Sequence, residues 1–405
     1  MTSTSTIGET ERILLEYLGE SLKSSDNACE SPDLSAEEWE RLYELADRHE
    51  VSVLLGNILD TNSLPSKIQN DFQLKTARTV HKGISLQALN TRLTALLEKE
   101  GITAVTLKGY AVARLYPVPE FRKTTDIDLF LPNPKDAKKA GSILCANGFK
   151  YSSEWHANHH SVLISQKNDS VELHTAWADE FKDKRLNSCL KKIQKESKGH
   201  CVPIECDGAR LYVYDAAYQG FYLLIHMLGH LVGGGFGLRN LCDWVVLWEN
   251  CDNEQAREDF IKLAVGSGTA EFAKAVTSVC TEYLGLSREK SPFQYDTLVD
   301  KDLTDGLLRD ILGAGEFGYS ESERMVGMDG SSFAAYVKEF HHQMHINFPK
   351  AGRVIPLWPV LWLATLIRFL NNNKKLHRAP VMAIMKKAGK RGKLVKRLTS
   401  NKKDG

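Results

Sequence analysis

Between Ile102 and Thr175 the hydrophobic period of this chain changes from the 3.6 residues of a helix to the 2 of a strand, and beyond Asp215 it changes back. Such a chain has to place a small sheet between helices. Ahead of the switch, Ser35 and Glu38 have the spacing of a capping box, and Leu34 and Trp39 can staple across it. Trp39, Leu42, Tyr43 and Ala46 then recur at helical spacing, and Leu86, Leu89, Leu93, Leu96 and Leu97 line a second helical face that ends before Gly101. The Ser-, Asp- and Glu-rich stretch 20–33 reads as a linker.

Inside the switch, 102–106 is a short strand, LKGYAVARLY (107–116) a helix, and 116–125 a loop with two prolines. DIDLFL (126–131) is a strand closed by Pro132, and 135–146 is a helix stopped by Asn147-Gly148. Strands follow at 149–153, 161–165 and 171–175, the last two joined as a hairpin through 166–170. A basic connector (181–200) leads back to helices, with Asp215 capping one that runs to about Val232, a glycine break at 233–237, and a helix from Leu238 to Trp248. The expected fold class is α/β. A small mixed-sheet domain (101–180) is embedded between an N-terminal helical region (1–100) and a C-terminal helical region (181–372), followed by a basic tail (373–405).

Composition narrows the function. The net charge of +1 conceals a tail from Lys374 to Gly405 whose only acid is Asp404, so the body is net acidic and nucleic acid is not the expected partner. Eight scattered cysteines make no C-x-x-C pair or zinc spacing, and the start MTSTSTIGETERILLEYL lacks the pattern of a secretory signal. A cytoplasmic location is expected. The apolar run from Val354 to Leu370 is short for a span and carries Pro356, Pro359 and Arg368. It reads as a buried helix, with peripheral membrane contact through 354–405 as the alternative.

The chemistry concentrates at Asp126-Ile127-Asp128. Strand alternation puts both carboxylates on one face, where they repel, and without a counter-charge at least one pKa must rise. Magnesium relieves that repulsion while keeping positions for water and phosphate oxygens. Lys108-Gly109, at the start of the preceding helix, can face a triphosphate, and Arg122 can reach a phosphate oxygen. Glu172 alternates outward on a neighbouring strand and can join the pair, with His174 two residues on facing the same side. His226 and His230 share a helical face without a third ligand at zinc spacing. With Arg239 and Asp243 they read as the helical side of the cleft, or Arg239 and Asp243 as a structural i,i+4 pair. His156, His159 and His160 read as solvated loop histidines, Gly233-Gly234-Gly235 as a turn, and the tail as a solvated end.

Together, LKGYAVARLYPVPEFRKTTDIDLFLP and VELHTAW resemble the nucleotidyltransferase superfamily that includes DNA polymerase β. More closely they resemble its uncharacterised bacterial family 5, in which LKG, an Arg before DIDLL, and a later [E/D]LHW recur together. The likeness extends to WERLYELADRHEVSVLL upstream and HMLGH…GLRNLCDW downstream. It implies that Asp126 and Asp128 ligate two Mg2+ ions, or Mn2+ in their place, with Glu172 the third carboxylate, nearest the attacking hydroxyl. Gly109 takes the place of the superfamily's small-residue turn, although Lys108-Gly109 stands where Gly-Gly or Gly-Ser is usual and the loop to the aspartates is longer. The implied activity moves a nucleoside monophosphate from an NTP, with ATP the expected donor, to a hydroxyl of a small-molecule, peptide or protein acceptor. Lys108, Gly109, Arg122, His174 and Arg239 are the expected nucleotide and phosphate contacts. The rivals are a phosphoryl-transferring enzyme on the same scaffold and a catalytically inactive nucleotide- or partner-binding protein.

Overall fold

A computed structural model describes residues 7–23, 33–156, 160–206, 208–294, 299–316, 351–376 and 391–399, with scattered positions between 337 and 348. Helix α1 (Glu9–Ser21) precedes α2 (Ala36–Arg48), which starts with the expected capping box: Ser35 Oγ accepts from the Glu38 N–H, and the Glu38 carboxylate accepts from the Ser35 N–H at 2.8 Å. The leucine face at 86–97 belongs to a longer helix than its sequence signal covers, α3 (Ser66–Lys99). There follow β1 (Val105–Thr106), the single turn α4 (Tyr110–Ala113), β2 (Asp126–Phe130), α5 (Ala137–Ala146), β3 (Phe149–His156), β4 (His160–Ser165) and β5 (Ser170–His174). β4 and β5 pair antiparallel as the predicted hairpin.

The sheet is larger than the sequence suggests. The basic connector forms α6 (Lys184–Glu196), and two further strands follow, β6 (Cys201–Cys206) and β7 (Ala209–Tyr214). They complete a seven-stranded mixed sheet in the order β3-β4-β5-β2-β1-β7-β6. β7 joins it by a parallel pairing of Tyr212 with Val105. A contact between residues so far apart in sequence leaves no local trace. The remaining helices are α7 (Ala216–Gly233, capped by Asp215), α8 (Leu238–Glu249), α9 (Glu254–Ser267), α10 (Ala270–Tyr283), α11 (Lys301–Ala314) and α12 (Trp358–Leu376), with 391–399 helical as well. The result is a mixed α/β fold in which the sheet is flanked by helical regions on both sides in sequence.

Alternation gives the sheet two unlike faces. Ile127, Leu129, Val171 and Leu173 point to one face, where Leu86, Leu93 and Leu97 of α3 and Ala140 and Leu144 of α5 cover them. Asp126, Asp128 and Phe130 point to the other. There Phe130 enters the main core through Trp177, whose ring also lies 5.5–6.4 Å from those of Tyr214, Tyr218, Phe221 and Tyr222. Burying five aromatic partners around one indole fixes α7 against the sheet. The two aspartates therefore sit at the rim of a rigid aromatic core.

Two expectations at the C-terminal end change. The run 354–367 is not a buried helix: Ile355, Val360, Leu363 and Ile367 are each more than half exposed. No helix among the described residues is long and apolar enough to cross a membrane. The tail, expected to be solvated, is docked where it is described. Leu398 is fully buried, and Arg391 pairs with Asp310 at 3.0 Å. The stretches 377–390 and 400–405 lie outside the described residues.

Candidate active site

Parallel pairing of β2 with β5 sets Asp128 directly beside Glu172, Asp126 beside Ser170, and Phe130 beside His174. Cross-strand partners share a face, so Asp126, Asp128, Glu172 and His174 all converge on the side of the sheet opposite α3. The three predicted carboxylates are brought together.

Their charges are not balanced alike. Asp128 is almost fully buried, with Lys108 Nζ 3.2 Å from one oxygen and His174 Nε2 2.9 Å from the other. Burial alone would raise its pKa, but Lys108 and His174 outweigh burial and hold it far below the usual carboxylate range. The same two contacts raise the pKa of Lys108 and of His174 against the opposing effect of burial. Glu172 is held down by its contact with His174 Nε2 at 3.3 Å, despite burial and the nearby Asp128. Asp126 has no such contact. Its carboxylate makes no hydrogen bond or ion pair among the described residues, and burial, followed by the Asp128 charge, pushes its pKa up. That is the rise expected for one member of a close carboxylate pair lacking a counter-ion.

An acid left unpaired beside two others fits a divalent cation. The donor set of Asp126, Asp128 and Glu172 supplies the hard carboxylate oxygens that Mg2+ or Mn2+ takes. A narrow crevice lined by Asp126, Lys108, Gly109 and Thr124 runs on towards Leu86 and Asn90 of α3, and neither Glu172 nor His174 lines it. Lys108 follows β1, whose register continues through the Leu107 N–H to the Asp128 carbonyl at 3.1 Å. Gly109 adopts φ +57° and ψ −121°, a backbone conformation open only to glycine. The helix it starts is a single turn, too short to offer much dipole to an anion.

Arg122 has a different partner from the phosphate expected for it. Its guanidinium makes a bidentate pair with Asp243, both bonds 2.7 Å, and Tyr116 Oη donates to the same carboxylate at 2.7 Å. Asp243 is buried on α8 and needs a planar, two-point counter-charge, which Arg122 supplies. Arg239 is likewise not paired with Asp243. Its Nε donates to Glu316 at 2.9 Å and its Nη1 to the Lys123 carbonyl at 2.8 Å, although its charge still reaches Asp126. His226 and His230 meet edge to face on α7, with ring centroids 4.5 Å apart. Burial and then the Lys108 charge keep them neutral, His230 with its pKa lowered to about 4. Both histidines and Tyr222 close the helical side of the site.

His160, expected as a solvated loop histidine, is neither solvated nor in a loop. It is part of β4, faces His174, and places Nε2 3.5 Å from Glu172, with its side chain only 12% exposed. The side chain of His156, and His159 as a whole, lie outside the described residues.

The profile of a family described as "Uncharacterised nucleotidyltransferase" matches residues 35–285, more than half of the chain and the whole of this site. Among solved structures, the chain is similar to an antigenic nucleotidyltransferase-like protein from Paracoccidioides brasiliensis. The identity is 13%, over 50% of this chain and 93% of that one, and the TM-score of 0.31 is too low to argue from. No curated protein matches.

The buried Arg122–Asp243 pair yields a stability prediction. Asp243→Ala strands a buried guanidinium and should cost about 3–5 kcal/mol in urea denaturation, whereas the double variant Arg122→Met/Asp243→Leu should cost far less. A single-variant loss below about 1 kcal/mol would mean that the guanidinium finds water or a phosphate instead.

Proposed function

The chain belongs to the uncharacterised nucleotidyltransferase family, and from that premise we propose that it transfers a nucleoside monophosphate from ATP to a hydroxyl of a small-molecule, peptide or protein acceptor. The observation that carries the reading is the unpaired Asp126 carboxylate beside Asp128 and Glu172 on one sheet face. Asp126, Asp128 and Glu172 would hold Mg2+, or Mn2+ in its place. The bound metal supplies charge neutralisation at the α-phosphate and lowers the pKa of the acceptor hydroxyl.

The chain's own residues supply the rest. Lys108, paired with Asp128 at 3.2 Å, turns to the phosphate oxygens of the triphosphate and stabilises the negative charge that grows on them. Gly109, without a side chain, leaves the backbone beside Lys108 open to the same phosphates. Glu172, the most exposed of the contacts around His174, takes the acceptor proton. The acceptor oxygen bonds to the α-phosphorus, the bond from that phosphorus to the bridging oxygen breaks, and pyrophosphate leaves with the electron pair. His174 holds Asp128 and Glu172 at fixed orientations through its Nε2. Arg122, Asp243 and Tyr116 act at a distance, pinning the loop that carries Thr124 towards Asp126.

Parallel incubations of a cell extract with purified protein, Mg2+ and ATP labelled at the α- or γ-phosphorus test this. Transfer of α-label with release of pyrophosphate is expected, and Asp128→Asn should lower it by about 100-fold or more. Transfer of γ-label instead would assign phosphoryl transfer. Unchanged magnesium-dependent nucleotide binding in Asp128→Asn, without turnover by either protein, would make the chain a binding protein.

We also propose that the exposed apolar face of α12 rests on an anionic membrane surface. Val360, Leu363 and Ile367 recur at helical spacing on that face, and the sequence beyond it carries Lys374, Lys375, Arg378, Lys386 and Lys387 with no acid before Asp404. An apolar helix face followed by a cationic run matches lipid tails beneath anionic headgroups. Sedimentation with phosphatidylserine-containing vesicles should carry the protein down at low salt, neutral phosphatidylcholine vesicles should not, and Val360→Asp/Leu363→Asp should abolish binding. Equal binding by the variant would contradict the assignment.

A further inference from the structure

His160 and His174 face each other across β4 and β5, with ring centroids 4.9 Å apart. Between them lies Glu172, one of whose oxygens is 3.5 Å from His160 Nε2 and 3.3 Å from His174 Nε2. One ligand atom from each of the three residues lies within 4.8 Å of the other two. Ligands bound to one ion at about 2.1 Å in tetrahedral or octahedral geometry stand about 3.0–3.5 Å apart, so the separations of 3.5 and 3.3 Å already have the spacing of ligands on a common ion, which His174 Nε2 would bind in place of its contact with Asp128. All three side chains come from a hairpin in the middle of a sheet, whose register is fixed on the opposite face by Val171, Leu173 and Leu163 in the core. Rigid strands hold such a site more firmly than a loop would.

We propose that His160, Glu172 and His174 form a site for a divalent transition-metal ion that accepts nitrogen ligands. Two imidazoles and a carboxylate suit Mn2+, Fe2+, Co2+ or Zn2+, whereas Mg2+ prefers oxygen throughout. The three carboxylates thus divide into two kinds of position. Asp126 and Asp128 offer oxygen alone, while Glu172 belongs to an imidazole-rich end and links the two. This inference rests on the carboxylate reading above because Glu172 is shared, and it makes that reading more specific: the ion nearest Glu172 is a transition metal. The competing explanation for the cluster is electrostatic, with His174 serving only as a cationic bridge between Asp128 and Glu172 and His160 as its neighbour.

Pulsed electron paramagnetic resonance on the chelator-stripped full chain loaded with one equivalent of Mn2+ separates these. Electron spin echo modulation from 14N of directly bound imidazole is expected in the wild type. In His160→Ala, shown to be folded by its thermal melt, the modulation should weaken and the Mn2+ affinity fall at least about tenfold. Excess Mg2+ should leave the 14N signal in place. Bound Mn2+ without 14N modulation, or an unchanged signal and affinity in His160→Ala, overturns the inference. If that Mn2+ is nevertheless lost in Asp126→Asn, the carboxylate reading survives alone. If 14N modulation persists in Asp126→Asn while nucleotidyl transfer is absent from the wild type, the metal site stands and the reading of function falls.

Discussion

Three carboxylates on neighbouring strands cannot all keep their charges in a half-buried site unless cations lie between them, and the arrangement around β2 and β5 follows from that constraint. Two of the acids have found protein cations: Asp128 is gripped by Lys108 and His174, and Glu172 by His174. Asp126 has not, and burial, followed by the Asp128 charge, raises its pKa. A lysine that neutralises an aspartate in the resting protein can be released to a phosphate when a divalent ion replaces it. Under the proposed function Lys108, 3.2 Å from Asp128, would make that exchange.

The scaffold keeps the acids in register by separating its two cores. One sheet face is filled by α3 and α5, the other by the aromatic cluster around Trp177, and the strand between them cannot slip by one residue without burying Asp126 and Asp128 under α3. A second layer of buried ion pairs ties the loop before β2 to α8: Arg122 to Asp243, and Arg239 to Glu316 and the Lys123 carbonyl. These pairs hold the geometry from behind, and both arginines expected at phosphates have protein partners here.

What the sequence made legible was local. The capping box at Ser35, the Asp215 cap, the glycine stop at Gly148 and the alternation of DIDLFL each depend on residues within a few positions of one another, and each appears in the structure. The convergence of Glu172 on Asp128 was also readable, since one face of each strand had to be apolar. What could not be read depends on distant partners. β7 pairs with β1 about a hundred residues away, Arg122 meets Asp243 across 121 positions, and Arg239 turns to Glu316. His160 lay one residue ahead of the predicted strand, and the observed register that pairs it with His174 differs from the one that a turn at 166–170 implies. The apolar run at 354–367 misled because hydrophobicity alone does not say whether protein or something else covers a helix face.

The most direct measurement is a crystal structure of the full chain with Mn2+ and an ATP analogue that cannot be cleaved between its α- and β-phosphorus atoms, using anomalous scattering to place the metal. An anomalous peak enclosed by Asp126, Asp128 and Glu172 is expected, with Lys108 Nζ moved from Asp128 onto a phosphate oxygen. An analogue bound elsewhere, or Lys108 still resting on Asp128 with no metal among the three acids, would contradict a metal-dependent site.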